Sequence, residues 1–152
     1  MSGPAPWVYL ATARAQDAEM KTRIAEHAAR RRAGWRTVEE PENISSALEQ
    51  IPRNGRVLFD CATLWLSNQM LAGNDLTAEI EALLSALDSF GGTIVTVSNE
   101  VGSGIVPDNA LARRFRDAQG LLNQRLAAQA ELAVLVTAGL PLALKGDMPG
   151  GM

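Results

Sequence analysis

Short apolar runs alternate along the chain with longer segments in which apolar residues recur every three or four positions. Trp7-Val8-Tyr9-Leu10-Ala11-Thr12 is apolar and rich in β-formers, and reads as a buried strand. Asp17 is placed to cap a helix reaching about Arg31, with Met20, Ile24, Ala28 and Arg31 along one face. Gly34 ends that helix, and Trp35 to Val38 form a brief extended segment. Pro41, Glu42 and Asn43 open a second helix carrying Ile44, Ala47, Leu48 and Ile51, and Pro52-Arg53-Asn54-Gly55 is turn chemistry. Arg56-Val57-Leu58-Phe59-Asp60 is a continuous apolar run ending in a carboxylate, the pattern of a parallel strand buried on both faces. Residues 62–72 and 76–89 read as helices separated by Gly73-Asn74-Asp75, and 93–98 as a strand introduced by Gly91-Gly92. Pro107-Asp108 introduces a long amphipathic helix to about Ala130. Leu132 to Val136 reads as another buried strand, with Pro141 to Lys145 as a last edge piece.

Strands alternating with helices predict an α/β fold built on a mostly parallel sheet with right-handed crossovers. No linker, repeat or low-complexity tract divides the sequence, so residues 1–152 read as a single domain. In such sheets a ligand sits beyond the carboxyl ends of the strands. Three polar groups fall there: Thr12, Asp60 and Ser98-Asn99-Glu100.

Composition narrows the class. With 47% hydrophobic and 20% charged residues the chain is neither disordered nor fibrous, and its net charge of -3 argues against nonspecific nucleic-acid binding. The longest apolar stretch, Leu132 to Leu144, is interrupted by Thr137, Gly139 and Pro141, whereas a membrane span needs ~20 apolar residues. The N-terminus has neither the basic nor the apolar region of a signal peptide. Cys61, the one cysteine, forms no intrachain disulfide or multi-cysteine zinc site and reads as a small core residue. A soluble, cytoplasmic protein is expected.

His27 is the one histidine. It reads either as a partly exposed imidazole of no special role or as a nucleophile or general base. Arg23, Arg30, Arg31 and Arg32 lie close to it in sequence, and guanidinium groups beside a neutral imidazole suit a phosphate-handling nucleophile. Val57-Leu58-Phe59-Asp60 has the form of a Walker-B strand, whose terminal aspartate helps hold Mg2+ on a nucleotide. Gly102-Ser103-Gly104 permits close backbone approach to a ligand or is an ordinary loop. Trp35 and Trp65 read as core or subunit contacts, with stacking on a flat ligand as the alternative. Arg113-Arg114-Phe115-Arg116, balanced by Asp108 and Asp117, reads as a solvated or interface face rather than a nucleic-acid patch.

Several blocks together carry a family resemblance. They are Tyr9-Leu10-Ala11-Thr12-Ala13, Arg23-Ile24-Ala25-Glu26-His27, Trp35-Arg36-Thr37-Val38-Glu39, and Leu58-Phe59-Asp60-Cys61 with Leu64-Trp65-Leu66-Ser67-Asn68. The most specific block is Ser98-Asn99-Glu100-Val101-Gly102-Ser103-Gly104-Ile105-Val106-Pro107. It continues through Leu111-Ala112-Arg113-Arg114-Phe115-Arg116-Asp117 to Asn123-Gln124-Arg125-Leu126-Ala127. In this order the blocks resemble the bifunctional adenosylcobinamide kinase / adenosylcobinamide-phosphate guanylyltransferase family of cobalamin biosynthesis.

The resemblance implies a P-loop NTPase-like (RecA-like) fold with helices on both faces of the sheet. It implies phosphorylation of adenosylcobinamide by ATP or GTP, then GMP transfer from GTP through a guanylyl-histidine to adenosylcobinamide phosphate. His27 is then the residue carrying GMP. Ala11, Thr12 and Ala13 match a nucleotide-contacting segment, Ala28, Ala29, Arg30 and Arg31 the contact run after the histidine, and Glu39 and Asp60 two further nucleotide-site positions. Mg2+ is the implied cofactor with Asp60 as its ligand. A homo-oligomer, commonly a trimer, is implied, with the helix around 108–130 as a candidate for its contacts.

The family's pattern also includes a first strand and a GxxxxGK[ST] phosphate loop, and no Gly-Lys-Ser or Gly-Lys-Thr occurs in these 152 residues. The expectation is an N-terminally truncated chain whose first βα unit is missing, binding nucleotide weakly and turning over slowly or not at all. The alternative from other classes is a catalytically silent nucleotide-binding or structural subunit of the same family.

Overall fold

The computed structural model describes residues 7–14 and 34–150. The helix expected over 17–31 therefore lies outside the described residues, and so do His27, Ala28, Ala29, Arg30 and Arg31. The chain divides after Asn99 into two compact units.

Among its described residues the first unit holds four parallel strands in the order β2-β1-β3-β4: β1 (Trp7–Ala11), β2 (Trp35–Glu39), β3 (Arg56–Asp60) and β4 (Thr93–Val97). The helices described in it are α1 (Ile44–Glu49), α2 (Ala62–Ala72) and α3 (Leu76–Ser89). Each helix starts on a residue whose side chain accepts a free backbone N–H. Asn43 takes that of Ser46, the Cys61 thiol that of Leu64, and Asp75 those of Thr77 and Ala78. Gly73, at φ 75°, ends α2 in the left-handed conformation that glycine adopts without a Cβ penalty.

Register explains where the core sits. Val8 pairs with Val57 and Leu10 with Phe59, so these four side chains share one face, and none is more than 4% exposed. Ile44, Ala47, Leu48, Trp65, Leu66, Ile80, Leu83 and Leu84 from the three helices are buried in the same unit, α3 packing on α1 and α2, and α2 on β4. The alternate residues Tyr9, Leu58 and Asp60 are half-exposed, and Val95 and Val97 are exposed. This corrects the expectation that 56–60 is buried on both faces. Among the described residues the strand alternates with period two, one side sealed and the other partly open.

Gly92 marks a close approach at the start of β4: an added Cβ would lie 2.1 Å from the Gly55 carbonyl oxygen, which itself accepts from the Thr93 N–H at 3.0 Å. Only glycine fits where the chain enters β4 this close to the start of β3.

The second unit contains α4 (Ala110–Gln129), capped by the Asn109 side chain on the Ala112 N–H, and the strands β5 (Ala133–Thr137) and β6 (Leu140–Lys145). The strand expected over 132–136 is present with a changed environment: it is not buried, and it pairs antiparallel with β6. The reason is the turn between them. Ala138 and Gly139 have φ of 52° and 78°, two successive positive values that fold the chain into a tight hairpin. Lys145 Nζ donates to the Ala127 and Ala128 carbonyls near the end of α4, where a cation meets the negative end of the helix. No helix among the described residues is long and apolar enough to cross a membrane.

Candidate active site

Parallel pairing places the carboxyl ends of all four strands on one edge. Glu39, Ala11, Asp60 and Val97 stand level across the sheet, each opposite its neighbour in the register. With strands spaced ~4.8 Å apart, Glu39 and Asp60 lie about 10 Å apart on either side of β1, on the face opposite the sealed core. Glu39 is exposed, Asp60 and Ala13 half-exposed, and Ala11 buried. Five of the residues singled out in the sequence (Ala11, Thr12, Ala13, Glu39 and Asp60) are thus gathered at one sheet edge, while the positions from His27 to Arg31 lie outside the described residues.

The Asp60 carboxylate is oriented from within the sheet. Tyr9 stands two residues before Ala11 on the same face, and its hydroxyl donates to Asp60 Oδ2 at 2.8 Å. Sequence reading did not assign Tyr9 this part; the signal was available in the two-residue spacing from Ala11, which shares its face.

Thr12 is fully buried, and its polar groups are all engaged. Its N–H donates to the Asp60 carbonyl at 3.1 Å, its hydroxyl donates to the Cys61 carbonyl at 2.8 Å, and the same oxygen accepts from the Cys61 N–H at 2.8 Å. Thr12 therefore fastens the end of β1 to the end of β3, where the Asp60–Cys61 peptide is cis. Of the side chains in this segment, Ala13 is half-exposed while those of Ala11 and Thr12 are buried.

Cys61 is 7% exposed, in keeping with a core residue. Burial pushes its thiol above the ordinary range, and the neighbouring Asp60 charge adds to the effect against opposing hydrogen bonds from Leu64 and Thr63. A thiol held in this form is a poor nucleophile.

The end of β4 is tied in through Thr63, whose hydroxyl accepts from the Asn99 N–H at 2.8 Å. Glu100 belongs to the second unit, where its Oε1 accepts from Asn123 at 2.7 Å. Gly102-Ser103-Gly104 forms an exposed turn in that unit. Arg113 donates to the Pro107 and Asp108 carbonyls and Arg116 faces Asp117 at 3.7 Å, so these two guanidinium groups are engaged locally.

Trp65 is core, 1% exposed. Trp35 sits at the amino end of β2, its ring 5.8 Å from that of Trp7 and four residues from Glu39, which removes it from the carboxyl edge. A pocket of ≈ 260 Å3 bordered by Glu42, Asn43, Trp65, Gln69, Glu79 and Leu83 contains none of the proposed site residues. Among the described residues no group of three His, Cys, Asp or Glu side chains is gathered to hold a metal ion. Asp60 stands there as a carboxylate held by the Tyr9 hydroxyl.

Comparison with known proteins identifies the family. The family model described as cobinamide kinase / cobinamide phosphate guanyltransferase matches residues 1–144. The chain is similar to the bifunctional adenosylcobalamin biosynthesis protein CobP of Pseudomonas aeruginosa, 48% identical over 142 residues that cover 91% of this chain and 82% of that protein. It is also similar to the bifunctional adenosylcobalamin biosynthesis proteins CobU of Salmonella typhimurium and Escherichia coli. The first is 37% identical over 94% of this chain and 88% of the relative. The second is 36% identical over 91% of this chain and 85% of the relative. A parallel α/β sheet with its polar residues gathered at the carboxyl edge and a match across nearly all of its length lead to one statement: the chain belongs to the cobinamide kinase / cobinamide phosphate guanyltransferase family.

Proposed function

We propose that this chain carries GMP from GTP to adenosylcobinamide phosphate through a covalent intermediate on His27. The observation that carries the reading is the family match over residues 1–144 together with the level placement of Ala11, Glu39 and Asp60 at the carboxyl edge. A neutral imidazole is a competent nucleophile near neutral pH. In the proposed step an imidazole nitrogen of His27 attacks the α-phosphorus of GTP, a P–N bond forms, and pyrophosphate leaves. The phosphate of adenosylcobinamide phosphate then attacks the same phosphorus, the P–N bond breaks, and adenosyl-GDP-cobinamide is released with His27 restored. Arg30 and Arg31 offset charge on the phosphates, Ala11 to Ala13 and Ala28 to Ala29 form the walls against the nucleotide, and Glu39 contacts it from the far side of β1.

The donor set at Asp60 fits Mg2+, which takes one or two carboxylates and completes its octahedron with waters and phosphate oxygens. Tyr9 occupies Oδ2 with a single donated bond, and a carboxylate has further lone pairs to offer. Such an ion, when bound, supplies charge stabilisation at the phosphate oxygens.

The same reading assigns phosphorylation of adenosylcobinamide by ATP or GTP as the companion activity. A homotrimer working in the cytoplasm completes the proposal. The test is incubation with GTP, Mg2+ and adenosylcobinamide phosphate, followed by mass analysis of the corrinoid. A corrinoid heavier by one guanylyl group is expected; an unmodified corrinoid from a chain that binds both substrates overturns the reading.

A further inference from the structure

The site walls after β1 and β2 are joined by a side chain of α2 that has no assigned role. The ladder between these strands ends with the Glu40 N–H donating to the Ala11 carbonyl at 2.9 Å. The next residue is Pro41, which has no N–H to extend it. Two backbone carbonyls, those of Thr12 and Pro41, are left at the point where the strands part. Asn68 Nδ2 donates to both, at 3.0 Å to Thr12 and 2.9 Å to Pro41. An amide NH2 has two hydrogens, and each is used on a different strand exit.

The neighbouring positions on α2 reinforce one arm of this link. Trp65 Nε1 and Gln69 Nε2 donate to the Glu42 carbonyl at 2.8 and 2.9 Å. Residues 65, 68 and 69 share a helix face, so α2 grips the Pro41–Glu42 turn from a fixed base. Asn68 alone of the three also reaches β1. Thr12 is in turn bonded to Asp60 and Cys61, so the contact connects the ends of β1, β2 and β3 through one amide.

We infer that Asn68 is a positioning residue that sets the spacing between the Ala11–Ala13 wall and Glu39, and thereby the fit of the guanine nucleotide. The inference rests on the nucleotide site assigned under the proposed function. Asn68 acts through backbone: Ala13 directly follows one bonded carbonyl, and Glu39 precedes the other by two residues. Misplacing a binding wall by about 1 Å can cost ~100-fold in a reaction whose chemistry is untouched.

The test measures binding of a fluorescent methylanthraniloyl-GTP, with Mg2+, to the unsubstituted chain, to Asn68→Leu and to Leu83→Ala. Leucine has the same side-chain branching as asparagine, is somewhat bulkier and the better helix former, and deletes both donors. Leu83→Ala is a stability control, a core truncation on α3 at a residue 2% exposed. Asn68→Leu is expected to bind at least about tenfold more weakly. Leu83→Ala should keep its affinity despite an equal or larger fall in Tm. Amide exchange should quicken at Ala13, Arg14, Glu40 and Glu42 in Asn68→Leu, with Val57 to Phe59 unchanged. Unchanged affinity in Asn68→Leu, or an equal loss in Leu83→Ala, overturns the inference. If the unsubstituted chain binds no nucleotide, the proposed function itself fails and this inference with it. Should Asn68→Leu not fold, Asn68→Ser, which keeps one donor, is read by the same criteria.

Discussion

Asp60→Asn is expected to lower the rate of guanylyl transfer by about 100-fold or more while leaving the fold intact. Asparagine matches the carboxylate in shape, and its carbonyl oxygen can still accept the Tyr9 hydroxyl that now bonds Oδ2 at 2.8 Å. What disappears is the negative charge at the level of Ala11 and Glu39, on the edge where the phosphates are proposed to lie. Asp60 is half-exposed, so removing its charge strands no buried partner and the thermal midpoint should stay close to that of the parent. Transfer rate and Tm measured on the same preparation separate the two effects. A variant that transfers GMP at nearly the parent rate would remove Asp60 from the proposed machinery.

The largest effect on stability is expected at Trp65. Its side chain is 1% exposed in the core of the first unit, and its Nε1 donates to the Glu42 carbonyl. Trp65→Ala removes the ring and its hydrogen bond and leaves a cavity, a loss of ~3–5 kcal/mol, although Gln69 Nε2 still donates to that carbonyl. That is a large share of the ~5–15 kcal/mol by which domains are stable, so the variant should be largely unfolded in mild denaturant. Trp65→Phe keeps most of the apolar contact and loses the N–H, and should cost only ~1–3 kcal/mol. Urea titrations of the two variants give the ranking, and equal losses would show that the ring contributes nothing beyond its hydrogen bond.

The elements that sequence made legible are those with strong local punctuation. The helices over 62–72 and 76–89 stand where they were expected because Gly73 stops one and Asp75 starts the next through side-chain and backbone geometry alone. The strand over 93–97 was equally clear from its β-branched run after paired glycines. The segment 132–145 was half legible. Its apolar runs showed as strands, but their antiparallel pairing depends on Ala138 taking a positive φ, for which alanine gives no signal.

At the site, Asp60 was legible as a carboxylate closing an apolar strand, and its level placement with Ala11 and Glu39 followed from parallel pairing. Thr12 was placed correctly at the edge, but its hydroxyl is spent on Cys61, a residue 49 positions away. Tyr9 and Asn68 went unassigned for the same reason: their partners are fixed by strand order and helix placement, which periodicity along one chain does not encode. An asparagine three residues after a buried tryptophan on a helix was the available hint that a polar group faces inward.

The central claim is that His27 carries GMP. Intact-protein mass after incubation with GTP and Mg2+, measured on the parent chain and on His27→Ala, tests it most directly. The account predicts a single guanylyl adduct on the parent, released by acid, and none on His27→Ala. A parent chain that binds GTP yet keeps its unmodified mass, or a His27→Ala variant that acquires the same adduct, would contradict it.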